Sequence, residues 1–587
     1  MKVLSRISRS LSTPSMMGWV VTAILFILIF LPLLAVLLQI VLPGMFFGEG
    51  HFAGWDLLFE IFERELWRKS LMNSLILAIG TAVLGTALGG ILAIFRKTVE
   101  FRTALWLDFT AWALLILPSF ILAQGWVLFS SGKGIANQIF GISWVTEFIF
   151  QPFGLIFIMT LCKFSYAYLA VTAALEWNVA RYGEAARLCG ANVWSAFRTV
   201  HFPLILPAFL SGGALIFMDT IGDFGLPASL AAVYSFPTLP YSIYTALYTA
   251  PIRFDMAGVL SFYLVEIIII AMAIQMWVLR KGKFHSLNER AERYKPKKGK
   301  YSPLFMIVNI CFLLIALGIP LGSNLLVSFM KTIGNGISLN NFTVDHYLSL
   351  LNIESTVIQG LIHSIVIAGV AAVVSLGIGF MITYVLVFTN FKLRPLIDSL
   401  SIISLAVPGV VLGIGYIFIW NQSWLESINL HLYGTPWILV LASIAGAIPI
   451  STRLILSSMT RVPQSLLSSA ALQGAPLISR IRYVLVPLIK ASLLTAVLTA
   501  FGTSVFDLAI STILYPPSFI TLPVAINRAF EDLNYGYATA ATITSGTAVV
   551  IIIMIIKFLG ERSFNKSVSH VQEDEYVVNH SKHIEEF

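Results

Sequence analysis

The chain has 587 residues, 58% of them hydrophobic and 11% charged, with a formal net charge of +8 and a mean hydropathy of +0.87. Soluble domains carry about 25% charged residues, so this composition excludes an ordinary soluble enzyme and points to an all-α polytopic membrane protein. Cys162, Cys189 and Cys311 are scattered, which gives neither a disulfide framework nor a metal motif.

Apolar runs of the roughly 17–25 residues that cross a bilayer predict twelve spans. They lie at about 18–42, 71–95, 107–130, 153–175, 204–224, 257–279, 303–329, 361–389, 397–420, 436–458, 488–510 and 540–560. Lys2, Arg6 and Arg9 precede the first run, which is too long for a signal-peptide core and lacks a small-residue cleavage site. It therefore reads as a retained span. With both termini inside, 29 of the 37 basic residues fall on the cytoplasmic side, seven in outer loops and Lys163 within a span. That asymmetry sets the orientation.

In the first half, residues 1–279, Pro118 is expected to kink the third span. Lys163 in the fourth span and Glu266 in the sixth lie at similar depth and are expected to pair. Each ionised group at the bilayer centre costs about 2.5–3.5 kcal/mol, which makes both candidates for the cargo path. A cytoplasmic loop, EAARLCGANVWSAFRTVHFP at 184–203, joins the fourth and fifth spans. Asp219 and Asp223 close the fifth span at its outer end, and TLPYSIYTAL (238–247) predicts a short helix in the next outer loop. The basic segment 280–302 reads as a solvated linker near anionic headgroups, with no nucleic-acid role.

The second half, residues 303–560, repeats the first. LMNSLILAIGTAVLGTALGG (71–90) lies over LIHSIVIAGVAAVVSLGIGF (361–380) at an offset of 290, as Pro118 lies over Pro408. Asp223 and Asp507 match at an offset of 284, and TLPVAINRAF (521–530) answers the first TLP segment at 283. Ordered matches of Pro, Gly and Asp imply a duplicated six-span unit, a parallel repeat about an axis along the membrane normal. Ala447 and Val549 align with Lys163 and Glu266, so those charges belong to one half only. The tail 561–587, with Glu573, Asp574 and Glu575, reads as a flexible cytoplasmic extension.

The cytoplasmic loop recurs as SSAALQGAPLISRIRYVLVP at 468–487, and in both copies a Pro follows the Gly by thirteen positions. Ala185 and Ala186, like Ala470 and Ala471, favour a helix of little bulk whose backbone can approach a partner closely. Gly190 and Gly474 can end that helix in a left-handed conformation. Pro203 and Pro487 suit the first turn of the following membrane helix, where no N–H is needed.

This loop resembles the EAA loop of binding-protein-dependent ABC importer permeases. Glu184, Ala185, Ala186, Gly190 and Pro203 match that pattern, while the second copy has Ser468 and Ser469 before Ala470, Gly474 and Pro487. Two such halves in one chain resemble the ferric-iron permeases, and also related thiamine, phosphonate, polyamine and sugar-phosphate permeases. The resemblance implies the type I importer fold, two copies of an ATPase bound inside, and a substrate-binding protein docking outside. Coupling is expected to be stronger at the loop that carries Glu184.

A phosphate-binding G-x-x-x-x-G-K-[ST] motif is absent, so the chain is expected to be no enzyme and to hold no cofactor. ATP and Mg belong to the partner ATPase on this reading. Asp223 and Asp507, with Phe224 and Phe506 beside them, would attract a cation at the outer mouth. A major-facilitator-type secondary transporter also has six plus six spans. Here the loop between spans two and three, FRKTVEFRTA, lacks the Gly-x-x-x-Asp-Arg-x-Gly-Arg-Arg pattern of that family.

Overall fold

The structure, a computed structural model, describes residues 13–45, 52, 55–175, 179–231, 236–281, 302–352 and 354–585. Most of the basic linker therefore lies outside the described residues. Among the described residues ten helices are long and apolar enough to cross a membrane, and two further bent pairs bring the number to twelve if each pair is one broken span. The ends agree with the twelve expected runs to within a few residues, except where loops and helices merge.

In the first half, α1 is Met16–Val41, α2 the amphipathic Asp56–Glu63 and α3 Glu65–Thr98. The broken span is α4 (Ala104–Ile116) followed by α5 (Ser119–Ser130). Then come α6 (Pro152–Leu175), the loop helix α7 (Val179–Leu188), and α8 (Trp194–Ile221). The half closes with α9 (Gly225–Ala231), α10 (Leu239–Tyr248) and α11 (Phe254–Lys281).

The second half runs α12 (Ser302–Ser328), α13 (Thr356–Phe388), and the broken span α14 (Arg394–Ala406) with α15 (Gly409–Trp420). It continues with α16 (Pro436–Met459), the loop helix α17 (Gln464–Leu472) and α18 (Leu477–Val505). Last are α19 (Leu508–Leu514), α20 (Leu522–Glu531) and α21 (Tyr535–Glu585). An isolated antiparallel bridge joins Met330 and Phe342.

Each half is built on three packed helices, α3, α6 and α8 in the first and α13, α16 and α18 in the second. The first helix of each half then crosses to the other. A β-carbon on Gly125 of α5 would meet the backbone of Pro320 on α12, and one on Gly415 of α15 would meet the backbone of Pro32 on α1. These glycines are 290 residues apart, so the exchange is reciprocal.

Prolines shape these helices in ways that the sequence reading understated. Pro118 and Pro408 do not merely kink their spans: the segments on either side turn by 106° and 111°. A proline lacks the N–H for the helical bond and pushes its predecessor out of the α region. Leu117 and Val407 are accordingly extended. Pro203 and Pro487 do not start a new helix either. They sit inside the continuous α8 and α18, each two residues beyond a π turn, Phe197–His201 or Ile481–Leu485. Pro32 and Pro320 follow Phe26–Phe30 and Leu314–Gly318 in the same way. The wider turn accommodates the missing donor without breaking the helix.

Short helices at the end opposite the loops are clamped alike in both halves. Ser74 Oγ accepts from Leu239 N at 2.7 Å, and Ser364 Oγ from Leu522 N at 2.9 Å. Asn73 Nδ2 donates to Pro237 O at 3.0 Å, while in the second half His363 Nδ1 lies 2.8 Å from Ile520 O. The tail expected to be flexible instead continues α21 to Glu585. After Gly560 it has neither Gly nor Pro to stop the helix.

Candidate functional site

Two constellations stand out, one at each end of the bundle. At the loop end, α7 and α17 terminate in the same motif. Gly190 N donates to Arg187 O and Ala191 N to Ala186 O, both at 3.0 Å; Gly474 N donates to Ala471 O and Ala475 N to Ala470 O, again at 3.0 Å. Gly190 and Gly474 have φ of +91° and +84°, the left-handed conformation this cap requires. The expected glycine role is thus present in both copies.

What the cap displays went unnoticed in the sequence. Leu188 and Leu472, 284 residues apart, are both 90% exposed. Trp194 and Ile478, at the same offset, stand exposed just beyond. Ala185, Ser468, Ser469 and Ala471 are exposed around them, and Ala186 and Ala470 partly so. Glu184 belongs to α7, but its side chain lies outside the described residues. A large apolar side chain thus projects beside the same left-handed glycine cap at matched positions in both halves.

At the far end of α8, the expected Lys163–Glu266 pair is not formed. Lys163 Nζ instead lies 2.5 Å from Asp219 Oδ2 and 2.8 Å from Asp223 Oδ2. Burial explains the choice. The packed stripe of α11 runs through Met256, Leu260, Leu264 and Ile268, a spacing of four, and leaves Glu266 exposed off that face. Meanwhile α6 packs directly on α8 and brings Lys163 to its two carboxylates.

Asp223 is further held by Ser119 Oγ, which donates to its Oδ1 at 2.8 Å, and by Leu226 N at 3.1 Å. Asp223 therefore caps α9, and its counterpart caps α19 in the same way, with Ile510 N donating to Asp507 Oδ1 at 3.0 Å. Among the described residues no cation pairs with Asp507.

The two caps meet through the broken spans. A β-carbon on Gly222 would lie 3.2 Å from the Pro408 ring, and one on Gly409 would lie 3.2 Å from Ala509 Cβ. Two carboxylates against one ammonium leave the Lys163 cluster with a single net negative charge, exposed chiefly through Asp219 at 36%. Among the described residues no three His, Cys, Asp or Glu side chains gather as a metal centre. A second, half-buried network, also unforeseen, joins Arg96 to Asp108 at 2.8 Å and Tyr168 to Asp108 at 2.5 Å near the loop end.

Comparison with known proteins agrees with this architecture. Residues 375–565 match the family described as binding-protein-dependent transport system inner membrane component. The ferric transport system permease protein FbpB of Actinobacillus pleuropneumoniae is 25% identical over 83% of this chain and 70% of its own length. A Haemophilus influenzae protein named for ferric transport is 23% identical over 81% and 74%. A Salmonella choleraesuis protein named for 2-aminoethylphosphonate transport is 24% identical over 40% of this chain and 89% of its own. Residues 375–565 thus carry the inner membrane component domain of binding-protein-dependent transport systems, and the relatives named for ferric transport align over more than 80% of this multi-pass chain.

Proposed function

We propose that this chain is the permease subunit of an ATP-driven importer of the bacterial inner membrane, with ferric iron as its cargo. It hydrolyses no ATP itself. ATP and Mg are bound by two copies of a cytoplasmic ATPase, one seated on each of α7 and α17, and a binding protein delivers cargo to the opposite face. Both termini are cytoplasmic. ATPase closure and opening would rock the two halves between outward and inward access.

The observation that carries this reading is the duplicated Gly-capped helix with its exposed Leu188 and Leu472. Cargo is supported by the relatives named for ferric transport, which align over both halves. The phosphonate-named relative aligns with 40% of the chain, about one half. Asp219, Asp223 and Asp507 would line the cation path, with Lys163 as the internal counter-ion; a net negative cluster disfavours an anionic cargo. Glu266, off the packed face, takes no part.

The test is assembly with the cognate ATPase. Wild type should elute with two ATPase copies, and Leu188→Asp combined with Leu472→Asp should release both while the permease elutes unchanged. Undiminished ATPase binding by that double variant would refute the docking assignment.

A further inference from the structure

At the end of the bundle away from α7 and α17, the duplication also preserves a short helix between the first two spans of each half. One is α2 and the other is Asp345–Leu350, 289 residues on. Each follows a residue of the same backbone geometry, Trp55 at φ −109° and ψ 3° and Val344 at φ −108° and ψ 2°. Their side chains are sorted alike. Ile61 and Leu350 face the bundle at 0% and 2% exposure. Trp55, Phe59 and Phe62 stand exposed in the first copy, and Val344, Leu348 and Leu351 stand exposed in the second, again 289 residues apart. Those positions follow the i, i+4, i+7 spacing of a single helical face. Polar residues form a neighbouring edge, exposed Asp56 and Glu63 in one copy and exposed Asp345 and Ser349 in the other.

Both helices are pinned to the bundle. Glu60 Oε2 lies 2.9 Å from Arg253 Nη2, Tyr263 Oη donates to Leu58 O at 3.0 Å, and the Phe62 and Tyr263 rings meet edge-on at 6.0 Å. In the second copy Tyr347 Oη and Ser328 Oγ are 2.6 Å apart, and His346 Nε2 lies 3.0 Å from Met330 O. The Tyr347 ring packs on Phe329 at 5.1 Å. The pins differ between the copies while the apolar stripe is kept, so the stripe is the preserved feature.

These pins also set the depth. Tyr263 stands six residues, about 9 Å at 1.5 Å per residue, inside the apolar run 257–279. Ser328 is the last residue of the spanning helix α12. Both short helices therefore lie at the edge of the hydrocarbon layer. The spans that follow them expose apolar residues at matched positions too, Met72, Ile76 and Val83 on α3 and Ile362, Val366 and Val373 on α13. A bilayer that covers those spans is continuous with the exposed stripes.

We propose that α2 and Asp345–Leu350 are paired interfacial anchors, whose apolar stripes enter the leaflet far from α7 and α17 at the boundary of headgroups and acyl chains. Tryptophan and other large apolar side chains suit that depth. The polar edge of each helix then faces water. One anchor in each half of the chain gives both halves a grip on the same leaflet.

The experiment places single nitroxides on the full chain in phosphatidylcholine–phosphatidylglycerol nanodiscs, with the exposed Cys189 and Cys311 replaced by serine. Labels go at Phe59→Cys and Leu348→Cys on the stripes, and at Glu63→Cys and Ser349→Cys on the polar edges. Power saturation of the paramagnetic resonance compares collisions with oxygen, which concentrates among acyl chains, and with a water-soluble nickel chelate. Oxygen should prevail at both stripe positions and nickel at both edge positions, with elution unchanged from wild type. Trp55→Cys and Leu351→Cys repeat the reading should either stripe variant elute differently. Nickel prevailing at either stripe would overturn the anchors, and shielding from nickel only after binding protein is added would assign that face to the binding protein instead. Exclusion of both reagents would put a second copy of the chain there. Oxygen prevailing at all four positions would sink the helices wholly in hydrocarbon. Either of these results also overturns the proposal.

Discussion

A β-carbon on Gly125 would have to occupy the space taken by the backbone of Pro320, a residue of the opposite half. The mirrored contact of Gly415 with Pro32 makes this the joint through which each half grips the other's first helix. Backbone cannot swing aside as a side chain can. Gly125→Ala and Gly415→Ala should each therefore destabilise by about 1–3 kcal/mol, the usual cost of overpacking. Thermal unfolding in detergent measures it, and midpoints equal to wild type would show that the joint is looser than described.

Lys163 is 14% exposed and Asp223 6%, so removing one partner strands a buried charge. Lys163→Met should cost about 3 kcal/mol, in the range for breaking a buried pair. Lys163→Met with Asp223→Asn should recover most of it, because the remaining Asp219 is more exposed. Denaturant or thermal titration of both variants reads the difference. A double variant no better than the single would argue against the ion pair.

Ser74 and Ser364 each satisfy a buried backbone N–H at the start of α10 or α20. Replacing either by Ala leaves that donor unpaired, at about 1–3 kcal/mol. The clearest readout is hydrogen exchange at the first turn of α10 or α20, which should quicken in the corresponding variant only. Equal protection in all three proteins would contradict the clamp.

The loops should be separable by chemistry. Leu188→Asp and Leu472→Asp alter highly exposed side chains, so folding should change by less than about 0.5 kcal/mol while ATPase stimulation falls in both. Glu184→Lys is expected to lower stimulation more than Ser468→Lys, because only the first loop carries an acid. Equal losses from the two lysine variants would remove the asymmetry.

Much of this architecture was legible because duplication repeats rare residues. Pro118 with Pro408, Asp223 with Asp507, and Gly190 with Gly474 announced the two halves and both caps. What stayed hidden depends on which helices become neighbours. Lys163 and Glu266 matched in depth, yet depth says nothing of facing, and α6 packs on α8 instead. The four π turns were invisible because a proline predicts a lost hydrogen bond without saying whether the helix ends or widens. Leu188 and Leu472 escaped notice among many leucines until their exposure distinguished them.

The most direct test places the chain in sealed proteoliposomes with its cognate ATPase inside and iron-loaded binding protein outside, and follows entry of radioactive ferric iron. The account predicts uptake that requires luminal ATP and the binding protein, and that the Leu188→Asp, Leu472→Asp double variant abolishes. Uptake driven by a proton gradient without any ATPase would contradict it.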